Sequence, residues 1–300
     1  PPHRGQVPGP TEYPGGPSEK RIIRMNFTKH KILLLLPAFA FIFSKANTQQ
    51  IPIDENKLPK QFPQLSLVFN RIFNGSGLDS FYQKLQQIKK TKKGLVSVVH
   101  IGDSHLRSDD LPGTTRKGLQ DFFGNAGKTT SYFKTFSSSD GNKDSTGVQY
   151  HAIGINGATF EIYNQSAAVW QEVTAFKPDL FIISLGTNDA QAREINDAGF
   201  HSQVTLFLDH IKKAAPAASV LVTTTADSFK GGAPNRELWN LNLSLFSYCT
   251  SNNIPVWDMY RVTNGFGSAY NWLRKRMMNG DGIHFTAPAY KIQGRLLFNA

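Results

Sequence analysis

The chain has 300 residues, of which 40% are hydrophobic and 12% aromatic, and its formal net charge is +11. This composition excludes a wholly disordered protein, because such proteins have too little apolar surface to bury. The single cysteine, Cys249, excludes an intramolecular disulfide and every Cys-rich zinc or iron-sulfur centre.

The first 46 residues differ from the rest of the chain and do not predict a packed element. Residues 1–24 are rich in proline and glycine and are interpreted as upstream sequence. Residues 25–46 are typical of a secretory signal peptide, since Lys29 and Lys31 precede an apolar run and small residues lie before a cleavage site after Ala46. We therefore expect an exported protein, periplasmic or extracellular, without a stable membrane anchor.

Residues 47–94 form a polar lead-in followed by a helix, with apolar side chains at helical spacing at Phe81, Leu85 and Ile88. Four later runs rich in β-branched residues predict buried strands, at 95–101, 180–185, 219–224 and 254–258. Helical periodicity precedes the later runs, and this alternation predicts an α/β domain with a parallel sheet over residues 95–300.

Residues 124–147 are polar and predict a long loop. The final helical pattern continues to Ala300, which leaves open a further C-terminal segment.

Residues that directly follow the strands of an open α/β sheet are the ones that bind ligands. Ser104 follows the first predicted strand and supplies a hydroxyl nucleophile. His284 supplies a general base, and Asp281 a carboxylate that can orient its ring, as in serine hydrolysis. Gly157 and Asn188, with the N–H of Ser104, would supply donors to an oxyanion.

The chain contains four short blocks that resemble, in their order, those of the SGNH, or GDSL-like, hydrolase family. The blocks are Gly102-Asp103-Ser104-His105, Gly154 to Thr159, Gly186 to Asp189 and Asp281 to Phe285. The resemblance covers roughly residues 95–300. It implies a flavodoxin-like α/β/α three-layer sandwich, with Ser104 as nucleophile, Gly157 and Asn188 in the oxyanion hole, and His284 assisted by Asp281. The chain departs from the usual family motif at His105, which stands where a leucine is typical. That variant resembles a subgroup acting on acetylated bacterial polysaccharides and peptidoglycan.

Other residues near these blocks receive supporting roles. Asp103 is expected to shape the nucleophile turn by accepting backbone hydrogen bonds, and Asp189 to cap a helix. His105 and three aromatic residues that precede or neighbour the histidine block, Tyr260, Tyr270 and Trp272, are assigned to a substrate rim, although burial in the core is the common fate of such aromatics.

The sequence thus predicts an exported serine esterase that removes acetyl groups from a cell-wall or surface polysaccharide and uses no metal or organic cofactor. Three alternatives stay open: a lipase or lysophospholipase with the same triad, a metal-dependent phosphoesterase suggested by Asp103 and His105, and a non-catalytic glycan-binding module. No Lys/Arg cluster interleaved with aromatic residues indicates nucleic-acid binding.

Overall fold

Eight strands form one sheet at the centre of the fold, with a separate two-stranded hairpin outside it. The structure is a computed structural model that describes residue 62 and residues 65–132, 135–139, 146–192 and 194–300. The predicted upstream sequence and signal peptide lie outside the described residues. In chain order the strands are β1 (Ile72–Phe73), β2 (Leu95–Gly102), β3 (Asn125–Tyr132), β4 (Thr135–Ser139), β5 (Gly147–Gly154), β6 (Leu180–Ser184), β7 (Ser219–Thr223), β8 (Phe229–Lys230), β9 (Ala233–Pro234) and β10 (Val256–Trp257).

The α-helices of the described residues cover both faces of the sheet. They are α1 (Asp79–Thr91), α2 (Asp110–Phe123), α3 (Phe160–Asn164), α4 (Ala167–Ala175), α5 (Thr187–Ala192), α6 (Asp197–Ala214), α7 (Arg236–Ser251), α8 (Met259–Val262), α9 (Ser268–Arg274) and α10 (Ala287–Phe298). Short 3₁₀ turns occur at Leu67–Phe69, Gly75–Leu78 and Ser104–Leu106. No helix in the described part of the chain has the length and apolar character needed to cross a bilayer.

The order of strands in the large sheet is β1-β10-β7-β6-β2-β5-β3-β4. The six inner strands pair in parallel, and the edge strands β1 and β4 are antiparallel. The sheet therefore includes residues before Leu95, since Ile72 and Phe73 pair with β10.

Alternation along the central strands sorts the core into two apolar layers. In β2, Val96 and Val98 pack with the layer that contains α1, α2 and α10, whereas Val99 and Ile101 pack with the opposite layer. This arrangement follows from the period of two in a strand and requires that both faces of β2 be covered by helices. The predicted α/β/α three-layer sandwich with a parallel sheet is confirmed.

The predicted loop at 124–147 is wrong over most of its length, because residues 125–132 and 135–139 form the inner strand β3 and the edge strand β4. β3 pairs in parallel with β5 and antiparallel with β4. Edge strands commonly carry polar side chains, so their composition resembles that of a loop. Residues 133–134 and 140–145 lie outside the described residues.

Candidate active site

The nucleophile candidate Ser104 lies in the 3₁₀ turn that begins as soon as β2 ends. Asp103 caps this turn, since its Oδ1 accepts a hydrogen bond from the N–H of His105 at 2.9 Å. Burial raises the pKa of the Asp103 carboxyl, and the adjacent His105 and its N–H donor oppose that rise. The expected turn-shaping role of Asp103 agrees with these contacts.

Ser104, His284 and Asp281 lie together in hydrogen-bonding order. The distance from Ser104 Oγ to His284 Nε2 is 2.7 Å, and the distance from His284 Nδ1 to Asp281 Oδ2 is also 2.7 Å. Ser104 and His284 are 180 residues apart in the chain, so the fold alone brings them together. The geometry lets His284 accept the hydroxyl proton through Nε2 while Asp281 accepts a bond from Nδ1–H.

The Asp281 carboxylate is held in place by the backbone of its own loop. Its Oδ1 accepts bonds from the N–H groups of Ile283 and His284, each at 2.9 Å. Burial alone would raise the pKa of this carboxyl, but the bonds from Ile283 and from the His284 ring and backbone outweigh it and lower the pKa. Asp281 is therefore ionised at neutral pH, as a group that stabilises an imidazolium must be.

Gly157 and Asn188 line the same cleft as Ser104. Gly157 follows β5 and has a φ of +72°, a left-handed conformation that favours glycine. Within the described part of the chain, no acceptor lies within hydrogen-bonding distance of the N–H of Ser104 or of Gly157. Both N–H groups are thus available to an oxyanion.

The Asn188 side chain already has two acceptors. Its Nδ2 donates to Asp103 Oδ2 at 3.2 Å and to the carbonyl of Ala158 at 3.1 Å. These two bonds tie together the turns after β2 and β5. An oxyanion that binds Asn188 would share or replace one of them. Asp189 has a related structural role, since its Oδ1 accepts a bond at 3.3 Å from the N–H of Phe160, the first residue of α3.

His105 lies behind the imidazole of His284, with ring centroids 5.1 Å apart. Its Nδ1 is 2.8 Å from Tyr290 Oη, and this hydroxyl also accepts a bond from the N–H of Phe285 at 3.1 Å. Burial lowers the pKa of His105, which keeps its ring neutral. His105 therefore contacts the base rather than forming part of an open rim. None of the groups of His, Cys, Asp and Glu in the described residues has an arrangement that fits a metal ion.

None of the three aromatic residues assigned to the rim lines the cleft around Ser104. Tyr260 and Trp272 are 4% and 0% exposed, so they belong to the core and cannot contact a substrate. Tyr270 is 52% exposed and packs edge-on against Phe229 at 4.7 Å between ring centroids, but it does not line the cleft. Aromatic content near a motif does not reveal burial, because packing by distant elements decides it.

The cleft around Ser104 has a volume of about 690 Å³. The described residues that line it are Ser104, Arg107, Ser108, Asn156, Gly157, Asn188, Asn279, His284, Phe285 and Tyr290. Sequence reasoning missed Tyr290 and Arg107. Both had a usable signal: Arg107 is one helical turn after the nucleophile, and Tyr290 lies in the first turns of the helix that follows the histidine block.

Comparison with known families decides the relationship that this geometry suggests. The model of the GDSL-like Lipase/Acylhydrolase family matches residues 123–292, more than half of the chain. This chain belongs to the GDSL-like lipase/acylhydrolase family. The match includes Gly157, Asn188, Asp281 and His284 but begins after Ser104, so the assignment of the nucleophile depends on the geometry above.

Several solved structures are similar to this chain. A structure titled "Peptidoglycan O-acetylesterase in action, 5 min" is 18% identical with a TM-score of 0.68, covering 76% of this chain and 97% of that one. The acetyl xylan esterase AlAXEase is 13% identical with a TM-score of 0.50, covering 68% and 98%. A GDSL-like lipase from Bacteroides thetaiotaomicron VPI-5482 is 18% identical with a TM-score of 0.45, covering 72% and 95%. A search of curated protein sequences found no match.

Proposed function

We propose that this protein is an exported serine esterase that removes O-acetyl groups from a cell-wall or surface polysaccharide through an acyl-serine intermediate. Membership of the GDSL-like family supports carboxylic ester hydrolase activity. The observation that carries the mechanism is the continuous set of hydrogen bonds from Ser104 Oγ through His284 to Asp281. Export is inferred from residues 25–46, which lie outside the described residues.

In the first half of the reaction, Ser104 Oγ attacks the acetyl carbonyl carbon while its proton passes to His284 Nε2. The carbonyl π electrons move to oxygen, and the N–H groups of Ser104 and Gly157 donate to the resulting oxyanion. When the tetrahedral intermediate collapses, the bond to the sugar oxygen breaks and His284 returns the proton to that oxygen. The products are the free sugar hydroxyl and an acetylated Ser104.

In the second half, a water molecule attacks the acetyl-serine carbonyl and gives a proton to His284. Collapse of the second tetrahedral intermediate breaks the bond to Ser104 Oγ, which regains that proton and releases acetate. Asp281 stays ionised throughout and stabilises the imidazolium that forms twice per turnover.

The lining of the cleft favours a short acyl group on a polar alcohol over a lipid. Among the described lining residues the large apolar side chains are Phe285 and Tyr290, which are only 4% and 5% exposed. Ser108, Asn156 and Asn279 supply hydroxyl and amide groups suited to sugar hydroxyls. A long acyl chain would need a larger apolar wall, since burial of each CH₂ contributes about 0.8 kcal/mol. The similar structure titled as a peptidoglycan O-acetylesterase also supports an acetyl group on a polysaccharide as the substrate.

The decisive experiment compares Ser104→Ala with the unmodified protein on 4-nitrophenyl acetate and on an acetylated polysaccharide. We expect kcat to fall by at least about 10³-fold with the fold intact, because removal of a triad nucleophile leaves only binding and oxyanion effects. Ser247→Ala, an exposed serine of α7 outside the cleft, is the matched control. Activity retained in Ser104→Ala would disprove the serine mechanism.

Three further measurements separate the alternatives. Turnover that rises from acetate to octanoate esters would favour a lipase, and turnover confined to acetate favours the proposal. Loss of activity on treatment with a chelator would favour the metal-dependent phosphoesterase. Binding to a polysaccharide without turnover of any ester would favour the glycan-binding module.

A further inference from the structure

Arg107 is the only side chain with a permanent charge among the described residues that line the Ser104 cleft. The other lining residues are hydroxyls, amides, a glycine, two aromatic residues and the base His284. No Asp or Glu is among them. The Asp281 carboxylate, next to the lining residue His284, is bonded to the His284 ring and to two backbone N–H groups rather than to Arg107.

The backbone of Arg107 is fixed one turn from the nucleophile. Its N–H donates to the carbonyl of Ser104 at 3.2 Å, so Arg107 ends the same 3₁₀ turn that presents Ser104. Its side chain is exposed at the cleft. Because Arg107 and Ser104 line the same cleft, one substrate molecule can contact both of them.

The acidic residues close to Arg107 in the chain are bound to other partners. Asp109 accepts two bonds from Arg116, each at 2.9 Å, and also pairs with Lys128 at 3.3 Å. Asp110 pairs with Lys291 at 3.7 Å. Among the described residues, Arg107 has no hydrogen bond or ion pair from its guanidinium.

Asp103, which precedes Arg107 in the chain, is also hydrogen-bonded to other groups. One of its carboxylate oxygens accepts the bond from the N–H of His105 and the other accepts the bond from Asn188. Within the part of the chain that the structure describes, the cleft that holds the nucleophile thus presents a cation that is paired with no carboxylate.

We propose that Arg107 is a carboxylate subsite, and that the glycan substrate carries an acidic sugar beside the acetylated hydroxyl. The proposal rests on the proposed esterase function and names the substrate class of that site. A planar guanidinium binds a carboxylate through two parallel hydrogen bonds, which fixes both position and orientation. Neutral acetylated glycans lack this contact and bind without it.

The experiment uses two substrates that differ only in charge: an acetylated oligogalacturonide and the same oligomer with its carboxylates methyl-esterified. The measured quantity is the ratio of kcat/KM for the acid to kcat/KM for the methyl ester. In the unmodified protein we expect a ratio of about ten or more, the size of one charge-assisted hydrogen-bonded contact. Arg107→Gln should bring the ratio close to one.

Two variants control for charge and for fold. Arg107→Lys should keep part of the preference, because an ammonium retains the charge and loses the two-pronged geometry. Arg236→Gln removes an exposed arginine that does not line the cleft and should leave the ratio unchanged. Raising the ionic strength from about 0.05 to about 0.5 M should lower the ratio in the unmodified protein and not in Arg107→Gln.

A ratio near one in the unmodified protein would overturn the subsite, as would a ratio that Arg107→Gln leaves unchanged. An equal loss on both substrates would assign Arg107 to the reaction itself and would also overturn it. Failure of the esterase function is separate, since the unmodified protein would then hydrolyse neither oligomer nor 4-nitrophenyl acetate.

Discussion

Tyr290 connects two groups that flank the imidazole of His284. Its hydroxyl is 2.8 Å from His105 Nδ1 and accepts the N–H of Phe285, the residue directly after the base. The described residues provide no partner for His105 Nε2, so Tyr290 is the one group that orients that ring. Because the His105 ring packs against His284, the position of the base depends on a hydroxyl that no motif includes.

We predict that Tyr290→Phe lowers kcat for 4-nitrophenyl acetate by about ten-fold with little change in KM. The substitution leaves the Phe285 N–H and His105 Nδ1 without partners, so the imidazole of His284 becomes less well positioned, and misplacement of a catalytic group by 1 Å costs about 10²-fold at most. Tyr248→Phe removes a hydroxyl bonded to Thr205 outside the cleft and serves as the control. An unchanged kcat with only a lower melting temperature would reduce Tyr290 to a structural role.

At this scale the sequence predicts the types and order of the reacting residues but not their surroundings. Ser104, Asp281 and His284 lie in short blocks whose spacing relative to strands is visible in the chain. The contact of His105 with Tyr290 spans 185 residues and has no local signature. Tyr260 and Trp272 were misassigned for the same reason, since burial by distant elements removes them from the surface.

At the scale of elements, α10 and α2 pack so closely that two glycines are needed between them. A Cβ at Gly294 would lie 2.4 Å from the carbonyl oxygen of Leu111, and a Cβ at Gly118 would lie 2.5 Å from the ring of Phe298. The first of these contacts is with backbone and cannot be relieved by a side-chain rotation. Because α10 carries Tyr290, the spacing of the two helices also sets the place of that hydroxyl.

We predict that Gly294→Ala lowers the free energy of unfolding by about 1–3 kcal/mol, because the added methyl group must push α10 away from α2. Urea unfolding measures the loss. Gly199→Ala is a matched control on α6, where the added Cβ would meet no atom closer than 3.8 Å. There the gain in helix propensity should leave stability unchanged or raise it by up to about 1 kcal/mol. An equal effect of the two substitutions would contradict the steric argument.

The sequence predicts buried elements better than edge elements. The runs that became β2, β6 and β7 are rich in β-branched residues, because strands covered on both faces need apolar side chains throughout. β4 is the edge strand and β3 lies next to it, and both carry Thr and Ser, a composition shared with loops. The order of strands has no local signal at all, since it depends on which apolar faces pack together.

For the whole molecule, that strand order assembles the site. β2 lies between β5 and β6, so the turns that carry Ser104, Gly157 and Asn188 follow three neighbouring parallel strands. The chain passes to one side of β2 to form β5 and to the other side to form β6, which opens a crevice at the carboxyl end of the sheet. His284 and Asp281 reach this crevice from the loop before α10.

The same folding that closes the core also buries Asp227, just after β7. Its side chain is 0% exposed, and its Oδ2 accepts a bond from the N–H of Ala269 at 3.0 Å. Burial raises the pKa of this carboxyl to about 6, against the bonds from Ala269, Ser228 and Gly267. Because the folded pKa lies above the unfolded one, the stabilising contribution is complete below about pH 4 and is lost as the pH rises through 6.

Asp227→Asn should therefore flatten the pH dependence of stability. An amide keeps the volume and the acceptor oxygen but cannot ionise, so the free energy of unfolding of the variant relative to the unmodified protein should rise by up to about 3 kcal/mol between about pH 4 and pH 7. Urea midpoints across that range measure the change, and a constant offset from the altered hydrogen bonds cancels in the slope. Asp209→Asn, an exposed carboxylate of α6, provides the comparison and should shift the curve much less. Parallel curves for Asp227→Asn and the unmodified protein would show that Asp227 titrates alike in the folded and unfolded states, and would contradict a pKa raised by burial.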